Sequence, residues 1–339
     1  MFDRRQLHRT LLTWSTVLAG FGLLVLLLSG CSGSVQSAKM YHVGILSGVD
    51  FFVNTADGFK AKLTELGYVE GKNIVYDLEK TNAEPDKERT ILKKFVDDKV
   101  DLIFAFPTEV ALEAKTATQG TSIPVLFAQA NIEGMDLVNS VREPGGNITG
   151  VRYPGPDIAL KRFDILHEIA PRARRLWVPY LKGYPIVPPQ LEALRSVAAA
   201  AGVTLLETPV TTPADIQVAL QPHAQANDID AILNIAEPIA IEPDAFAVYG
   251  KYAADHRIPV GGSLMMVEKY ASIFGVATDN VAVGKQAAPL ADKILKGTVA
   301  GTIPVASAEN YIQINYKAAQ ALGLQVGEGL LSQADQVIH

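Results

Sequence analysis

Polar and aromatic side chains follow the first apolar run of the globular part of the chain, and they could hold a small molecule. This run, residues 41–46, is predicted as a strand and is followed by Ser47, Asp50, Phe51 and Phe52. A serine hydroxyl can donate a hydrogen bond, and adjacent phenylalanines at a strand exit can cover an apolar group. The alternative is that Phe51 or Phe52 packs on the next helix. We predict all four as ligand-binding residues.

Two later apolar runs also lead into polar residues. Thr108 stands where a helix begins, so its hydroxyl and the following amides could receive a carboxylate, although an ordinary helix cap explains it equally well. Asn131 follows the run at 124–128, at the exit of another predicted strand. We predict Thr108 and Asn131 as binding residues.

Three candidates follow predicted strands in the second half of the chain: Tyr184, Glu237 and Ser263. Tyr184 could stack on a ring, and Glu237 could neutralise an ammonium group. Ligands of parallel sheets bind at the carboxyl ends of strands, because helix N-termini and free loop amides converge there. We therefore expect these three residues to face the same ligand.

The elements that position these residues are predicted by short apolar runs alternating with helical patterns from Met40 onward. The predicted strands are 41–46, 73–78, 101–106, 124–128, 175–180, 204–207, 231–235 and 258–262. The predicted helices are 55–66, 84–98, 109–118, 160–169, 189–201, 213–226 and 244–256. The order is typical of parallel sheets covered by helices on both faces, and it occurs twice. We predict an α/β fold of two doubly wound, Rossmann-like lobes.

The single cysteine, Cys31, follows Leu28-Ser29-Gly30 at the end of an apolar run behind three arginines. A basic start, an apolar run and small residues before a cleavage point are typical of a secretory signal, and this one resembles a bacterial lipobox. The alternative is an uncleaved membrane anchor. We expect residues 1–30 to be a lipoprotein signal peptide, Cys31 to be lipidated, and 31–39 to be a linker.

The charge balance argues against nucleic acid as a partner. Removing residues 1–30 takes three arginines and one aspartate from a chain of formal charge −6, which leaves −8. An acidic chain is not expected to bind nucleic acid or an anionic membrane surface.

Motifs of common enzyme classes are missing from the sequence. It contains neither a Gly-x-Ser-x-Gly elbow nor a His-Glu-x-x-His pair, and no Gly-x-Gly-x-x-Gly follows the first strand. Residues 67–72 come close to a phosphate loop, but Asn73 replaces the Ser or Thr that would bind magnesium. We expect no enzymatic activity, no cofactor and no metal site.

The segment REPGGNITGV at 142–151 carries a family resemblance. It resembles the R-P-G-G-N-V-T-G-V signature of the tryptophan/tyrosine-type ABC-transporter substrate-binding lipoproteins, with Glu143 before the proline. Residues 67–74 resemble the family's G-Y-x-E-G-x-N segment, and 293–297 and 315–319 fit its closing elements. The resemblance covers residues 40–324.

This resemblance implies a type I periplasmic-binding-protein fold with three interlobe crossovers. The first lobe would comprise residues 40–151 and 277–298, and the second 152–276 and 299–339. The resemblance makes Asp279 the best ammonium partner, with the cap of the following helix as the alternative. It also shows a departure, because 129–133 replaces the Asp-Pro pair that the family usually has after the fourth strand.

The implied function is that of an extracytoplasmic, lipid-anchored binding protein. The ligand would be an amino acid, with an aromatic amino acid or another small carboxylate as open alternatives. The partners would be an ABC permease with its ATPase subunits and, through Cys31, the membrane, and we expect a monomer. The alternative is a receptor of the same fold that reports ligand to a membrane sensor.

Overall fold

Two separate sheets organise the chain, which a computed structural model describes from residue 39 to residue 339. The strands are β1 (Tyr41–Ser47), β2 (Ile74–Lys80), β3 (Leu102–Phe106), β4 (Val125–Ala130), β5 (Ile148–Arg152), β6 (Arg175–Leu181), β7 (Thr204–Val210), β8 (Ala231–Leu233), β9 (Val260–Gly262), β10 (Met266–Val267), β11 (Tyr270–Ala271), β12 (Phe274–Ala277), β13 (Ala306–Ser307), β14 (Tyr311–Asn315) and β15 (Gln336–Ile338). The helices are α1 (Asn54–Glu65), α2 (Pro85–Asp97), α3 (Thr108–Ala117), α4 (Gly155–Ile169), α5 (Val187–Ala200), α6 (Pro213–Ala226), α7 (Pro243–His256), α8 (Asn280–Leu295), α9 (Tyr316–Ala321) and α10 (Glu328–Gln333).

The first lobe is built on a fully parallel sheet with the strand order β13-β5-β4-β3-β1-β2. Every residue of β3 and β4 is buried, as expected of parallel strands that helices cover on both faces. Phe59 of α1 stacks on Phe104 with ring centroids 4.3 Å apart, while Phe95 and Phe127 belong to the core on the other face.

The second lobe is built on a sheet with the order β15-β14-β12-β9-β8-β6-β7. Its pairs are parallel except for β12 with β14, and β10 and β11 form a separate antiparallel pair. Trp177 and Tyr249 are fully buried on the face covered by α6 and α7. The predicted class of two α/β lobes with largely parallel sheets is confirmed.

The chain crosses between the sheets three times, after β5, after β12 and after β13. Ala306 and Ser307 pair with Val151 and Arg152 in the first sheet. The second lobe therefore resumes after β13, not at residue 299 as we predicted. The physical reason is that the edge of β5 offers unpaired backbone groups, which this short strand covers.

Helix α8 returns to the first lobe and packs on α1 through two glycines. A Cβ atom on Gly58 would lie 2.0 Å from the carbonyl oxygen of Val281, and one on Gly284 would lie 2.0 Å from that of Thr55. Only glycine permits so close an approach of the two backbones.

Helix α4 begins earlier than predicted. It starts at Gly155, with Pro156 in its first turn, whereas the apolar pattern placed its start at residue 160. Proline is tolerated in the first helical turn because the amide of that position needs no partner within the helix. Among residues 39–339, the helices are too short or too polar to span a bilayer.

Candidate ligand-binding site

The exit of β1 is a 3₁₀ turn formed by Asp50–Phe52. Phe51 is 59% exposed, whereas Phe52 is half-buried against the α1 side of the first-lobe core, and their rings meet edge to face at 5.0 Å. Phe52 therefore anchors the turn by packing on the core, which is the alternative that we considered for one of the two rings. Phe51 projects from the turn. Asp50 is exposed, with the Lys80 ammonium 4.0 Å away.

Ser47 lies beneath this turn. It is fully buried, and its hydroxyl donates to the carbonyl oxygen of Val49 at 3.0 Å. The proton of Ser47 is therefore used to shape the loop. The Glu88 carboxyl lies close to the same loop, accepts a hydrogen bond from Thr81 Oγ1 at 3.0 Å, and has its pKa raised by burial.

Thr108 and Asn131 join the exits of β3 and β4. Both are buried, and the Asn131 backbone amide donates to Thr108 Oγ1 at 3.0 Å. Thr108 is the first residue of α3 and does not cap it with its side chain. The ordinary cap that we considered for Thr108 is therefore wrong, because its hydroxyl serves the neighbouring loop.

The first lobe contacts the second at these loops. A Cβ atom on Gly155, at the start of α4, would lie 2.3 Å from Asn131 Oδ1. The Tyr184 hydroxyl of the second lobe donates to Glu109 Oε1 of the first at 2.7 Å. Burial, followed by the charge of Glu109, raises the pKa of Tyr184. Two sequence candidates, Asn131 and Tyr184, thus lie on opposite sides of one interlobe boundary.

Glu237 is buried and holds backbone amides. Its carboxylate accepts from the amides of Leu181, Ile239 and Ala240 at 3.0, 3.1 and 2.9 Å. Burial raises the pKa of Glu237 to about 7, although these amides and Arg162 oppose the shift. Its oxygens cap the 3₁₀ turn Pro238–Ile241 and tie β6 to the exit of β8.

Asp279 is the cap of α8. Its Oδ1 accepts from the amide of Ala282 at 2.6 Å, and the residue is exposed. The sequence allowed two interpretations of Asp279, an ammonium partner or a helix cap, and in the structure Asp279 caps the helix.

Ser263 differs from these residues because its buried hydroxyl lacks a hydrogen-bond partner among the described residues. It follows β9 directly. Buried hydroxyls are rarely left unpaired, so Ser263 is the predicted site residue with most freedom to bind a ligand group.

Arg162 is a charged residue of this region that the sequence analysis missed. It is 3% exposed, and its guanidinium donates to the Val276 carbonyl at 2.9 and 2.7 Å and to the Asn234 carbonyl at 3.1 Å. Burial lowers the pKa of Arg162, yet a guanidinium keeps its proton in proteins. Within 39–339, carboxylates do not come within ion-pairing distance of it. Arg162 lies within a predicted helix, and its position there gave no indication in the sequence that its side chain is buried.

Metal ligands are not clustered in the part of the chain that the structure describes, where no group of three or more His, Cys, Asp and Glu side chains could hold an ion. A surface groove lies at the amino ends of β3 and β4, next to Asp101 and Pro124. This groove lies at the opposite end of the strands from the candidate residues, which follow the carboxyl ends.

A family model for ABC transporter substrate-binding proteins matches residues 44–338. The chain belongs to this family. The resemblance seen in the sequence is thus confirmed. Proteins of this family bind a small molecule, work with an ABC transporter and act outside the cytoplasm, so these three expectations are confirmed as well.

Named relatives of this substrate-binding protein agree with the assignment. It is 27% identical over 326 residues to a tyrosine-binding protein of Clostridioides difficile (strain R20291), covering 92% of each chain. Its fold is similar to an ABC domain from Streptococcus pneumoniae in complex with L-Trp, with TM-score 0.75, 23% identity, and coverage of 88% of this chain and 100% of that one. A conserved domain protein from Vibrio cholerae has TM-score 0.72 and 27% identity, with coverage of 88% and 100%.

Proposed function

We propose that this substrate-binding protein binds an amino acid, preferably an aromatic one, between its lobes and delivers it to the permease of an ABC importer. The observation that carries the proposal is the meeting of the two lobes at the carboxyl ends of their strands, where Glu109 contacts Tyr184 and Asn131 contacts Gly155. The 27% identity to a tyrosine-binding protein supports an aromatic ligand. Membership of the ABC transporter family favours import over sensing, and we expect no catalytic activity.

The charges suggest how an amino acid would be oriented. Glu237 accepts three backbone amides and Asp279 caps α8, whereas Glu109 bonds to the Tyr184 hydroxyl of the opposite lobe. Glu109 is therefore the better partner for an ammonium group between the lobes. Arg162 supplies a buried positive charge in the second lobe, where its guanidinium donates to backbone carbonyls. An amino acid zwitterion would therefore place its ammonium towards the first lobe and its carboxylate towards the second.

Calorimetry on the full chain in detergent tests this proposal with L-tyrosine, L-tryptophan, L-leucine, tyramine and 3-(4-hydroxyphenyl)propionate. We expect L-tyrosine or L-tryptophan to bind at least tenfold more tightly than the two compounds that lack a carboxylate or an amine. If neither aromatic amino acid binds, the aromatic proposal is wrong.

A pair of variants on α3 tests the ammonium assignment. Glu109→Gln removes a charge but keeps an oxygen for Tyr184, and we expect at least a tenfold loss of amino acid affinity. Glu113→Gln is the matched control one helical turn away, where the carboxylate pairs with Arg89 at 3.3 Å. Equal affinities of the two variants would remove Glu109 from this role.

The lipid anchor is a separate part of the proposal, because Cys31 lies outside the described residues. We propose that Cys31 is lipidated and holds the protein at the membrane. In cells fed with radiolabelled palmitate, the wild-type chain should carry label and fractionate with membranes, and Cys31→Ser should lose both properties. Label retained in Cys31→Ser would disprove the assignment.

A further inference from the structure

Gln129 has an unusual backbone for a residue that is not glycine. Its φ of 52° lies in the left-handed region, and the register between β4 and β5 shifts at this point, between Ala128 and Ala130. Such a conformation is unfavourable for a residue with a Cβ atom, and bulges of this kind often re-aim a side chain near a functional site.

The buried Gln129 side chain connects two distant segments. Thr278 Oγ1 donates to Gln129 Oε1 at 2.8 Å, and Gln129 Nε2 donates to Asn280 Oδ1 at 2.9 Å. Asn280 Nδ2 in turn donates to the carbonyl oxygen of Phe51 at 2.6 Å. We call Thr278, Gln129 and Asn280 the hinge link, because Thr278 lies in the second crossover between β12 and α8.

The direction of these hydrogen bonds is fixed by their last member. The Phe51 carbonyl can only accept, so the amide nitrogen of Asn280 must face it and the oxygen of Asn280 must face Gln129. By the same logic Gln129 turns its nitrogen to Asn280 and its oxygen to Thr278. The Thr278 hydroxyl must therefore donate, and each member has one role.

We infer that the hinge link positions the Asp50–Phe52 turn, so that the place of Phe51 depends on the backbone of the second crossover. Crossover residues absorb the backbone changes when lobes rotate about a hinge. A hydrogen-bonded path from Thr278 carries such a change directly to the turn. Gln129 and Asn280 are thus positioning residues for Phe51. Their effect on ligand selectivity rests on the proposed function, in which the Phe51 ring covers an aromatic ligand.

Asn280→Asp tests the bond from Asn280 to the Phe51 carbonyl separately from the bond that Asn280 accepts from Gln129. A carboxylate still accepts from Gln129, but it cannot donate to Phe51, and two oxygens would then face each other. An acidic residue in the first turn of α8 suits the helix dipole, so we expect the melting temperature to change little. Hydrogen exchange of the unliganded full chain should become at least tenfold faster at residues 50–53 and remain unchanged in α8.

The matched control is Asn54→Asp. It makes the same change at an exposed first position of α1, next to the turn but outside the hinge link. We expect wild-type exchange at 50–53 in this control. Wild-type exchange in Asn280→Asp would overturn the inference, and so would equal acceleration in both variants.

Ligand selectivity gives the second readout. If L-tyrosine binds the wild type, Asn280→Asp should reduce the ratio of L-tyrosine to L-leucine affinity at least fivefold, whereas a general loss of structure would weaken both alike. An unchanged ratio would overturn the positioning role for the ligand. A wild type that binds neither L-tyrosine nor L-tryptophan refutes the proposed ligand, while the exchange result still decides whether the link holds the turn.

Thr278→Val covers the case in which Asn280→Asp does not fold. Valine keeps the shape of threonine but cannot donate to Gln129, so the Gln129 side chain loses its bond to the crossover and holds Asn280 less firmly. We expect faster exchange at 50–53, by about threefold, because the bond between Asn280 and Phe51 remains. No acceleration at 50–53 would show that the crossover does not control the turn.

Discussion

The two sheets differ in how their carboxyl edges are held, where the carboxyl edge means the loops that follow the carboxyl ends of the strands. In the first lobe, neutral groups bond one loop to the next, as when the Asn131 amide donates to Thr108. In the second lobe, two buried ionisable side chains organise the backbone, with Glu237 accepting from three amides and Arg162 donating to two carbonyls. Apart from the Glu88 carboxyl, whose pKa burial also raises, the first edge should therefore depend little on pH. The second edge should respond to both pH and loss of charge.

The largest expected effect comes from removing the buried guanidinium. Arg162→Met leaves the carbonyls of Asn234 and Val276 without their donors, and we expect a loss of about 3–4 kcal/mol in the free energy of unfolding, measured by urea denaturation. Arg195→Met, at an exposed arginine paired with Glu207, should cost less than about 1 kcal/mol. Similar losses for both variants would contradict the special role of Arg162.

The second effect is a pH dependence from Glu237. Its pKa is raised from 4.5 to about 7 in the folded chain, so the folded state binds the proton more tightly than the unfolded state. Stability should then fall as pH rises from about 4.5 to 7, by on the order of 3 kcal/mol. Glu237→Gln should abolish this fall when unfolding is measured across that range.

Glu88→Gln is the first-lobe control for that experiment. Burial raises the pKa of Glu88 in the same direction, but its carboxyl bonds to the Thr81 hydroxyl rather than to backbone amides. Stability of Glu88→Gln should still fall over the Glu237 range. If Glu237→Gln kept the full pH dependence, the difference between the two edges would not lie in Glu237.

The neutral edge is tested by Thr108→Val. This change removes the acceptor of the buried Asn131 amide, and we expect a loss of about 1–2 kcal/mol that is the same at pH 5 and pH 8. Thr116→Val is the control at an exposed position of the same helix and should stay within about 0.5 kcal/mol. A loss that varied with pH would break the comparison.

The smallest effect concerns the contact between the edges. Tyr184→Phe removes the bond to Glu109, worth about 1 kcal/mol, and should shift the balance of closed to open lobes about fivefold. Interlobe fluorescence transfer measures this balance, with Tyr180→Phe in the same lobe as control. Identical transfer in both variants would show that the bond does not hold the lobes together.

Most of the fold could be predicted because parallel strands covered on both faces are continuous apolar runs. β3 and β4 were found in this way, and 213–226 is predicted with the bounds of α6. The start of α4 was not, because prolines that begin a helix look like residues that end one.

The site was less accessible to prediction, since the same residue type serves a ligand or the backbone. Glu237 is predicted as a carboxylate at a strand exit and Asp279 by the family resemblance, but only their geometry shows that both accept backbone amides. The left-handed backbone of Gln129 and the burial of Arg162 depend on distant strands, which no local pattern records.

The close crossing of α1 and α8 at Gly58 and Gly284 has a consequence for the order of folding. Helix α1 belongs to the beginning of the described chain, but its buried face is covered by a helix that follows nearly all of the second lobe. Contacts this far apart in sequence are slow to form, because a long loop must close before they contribute. The first lobe therefore cannot finish folding by itself, and α1 should gain stable amide protection only when α8 does.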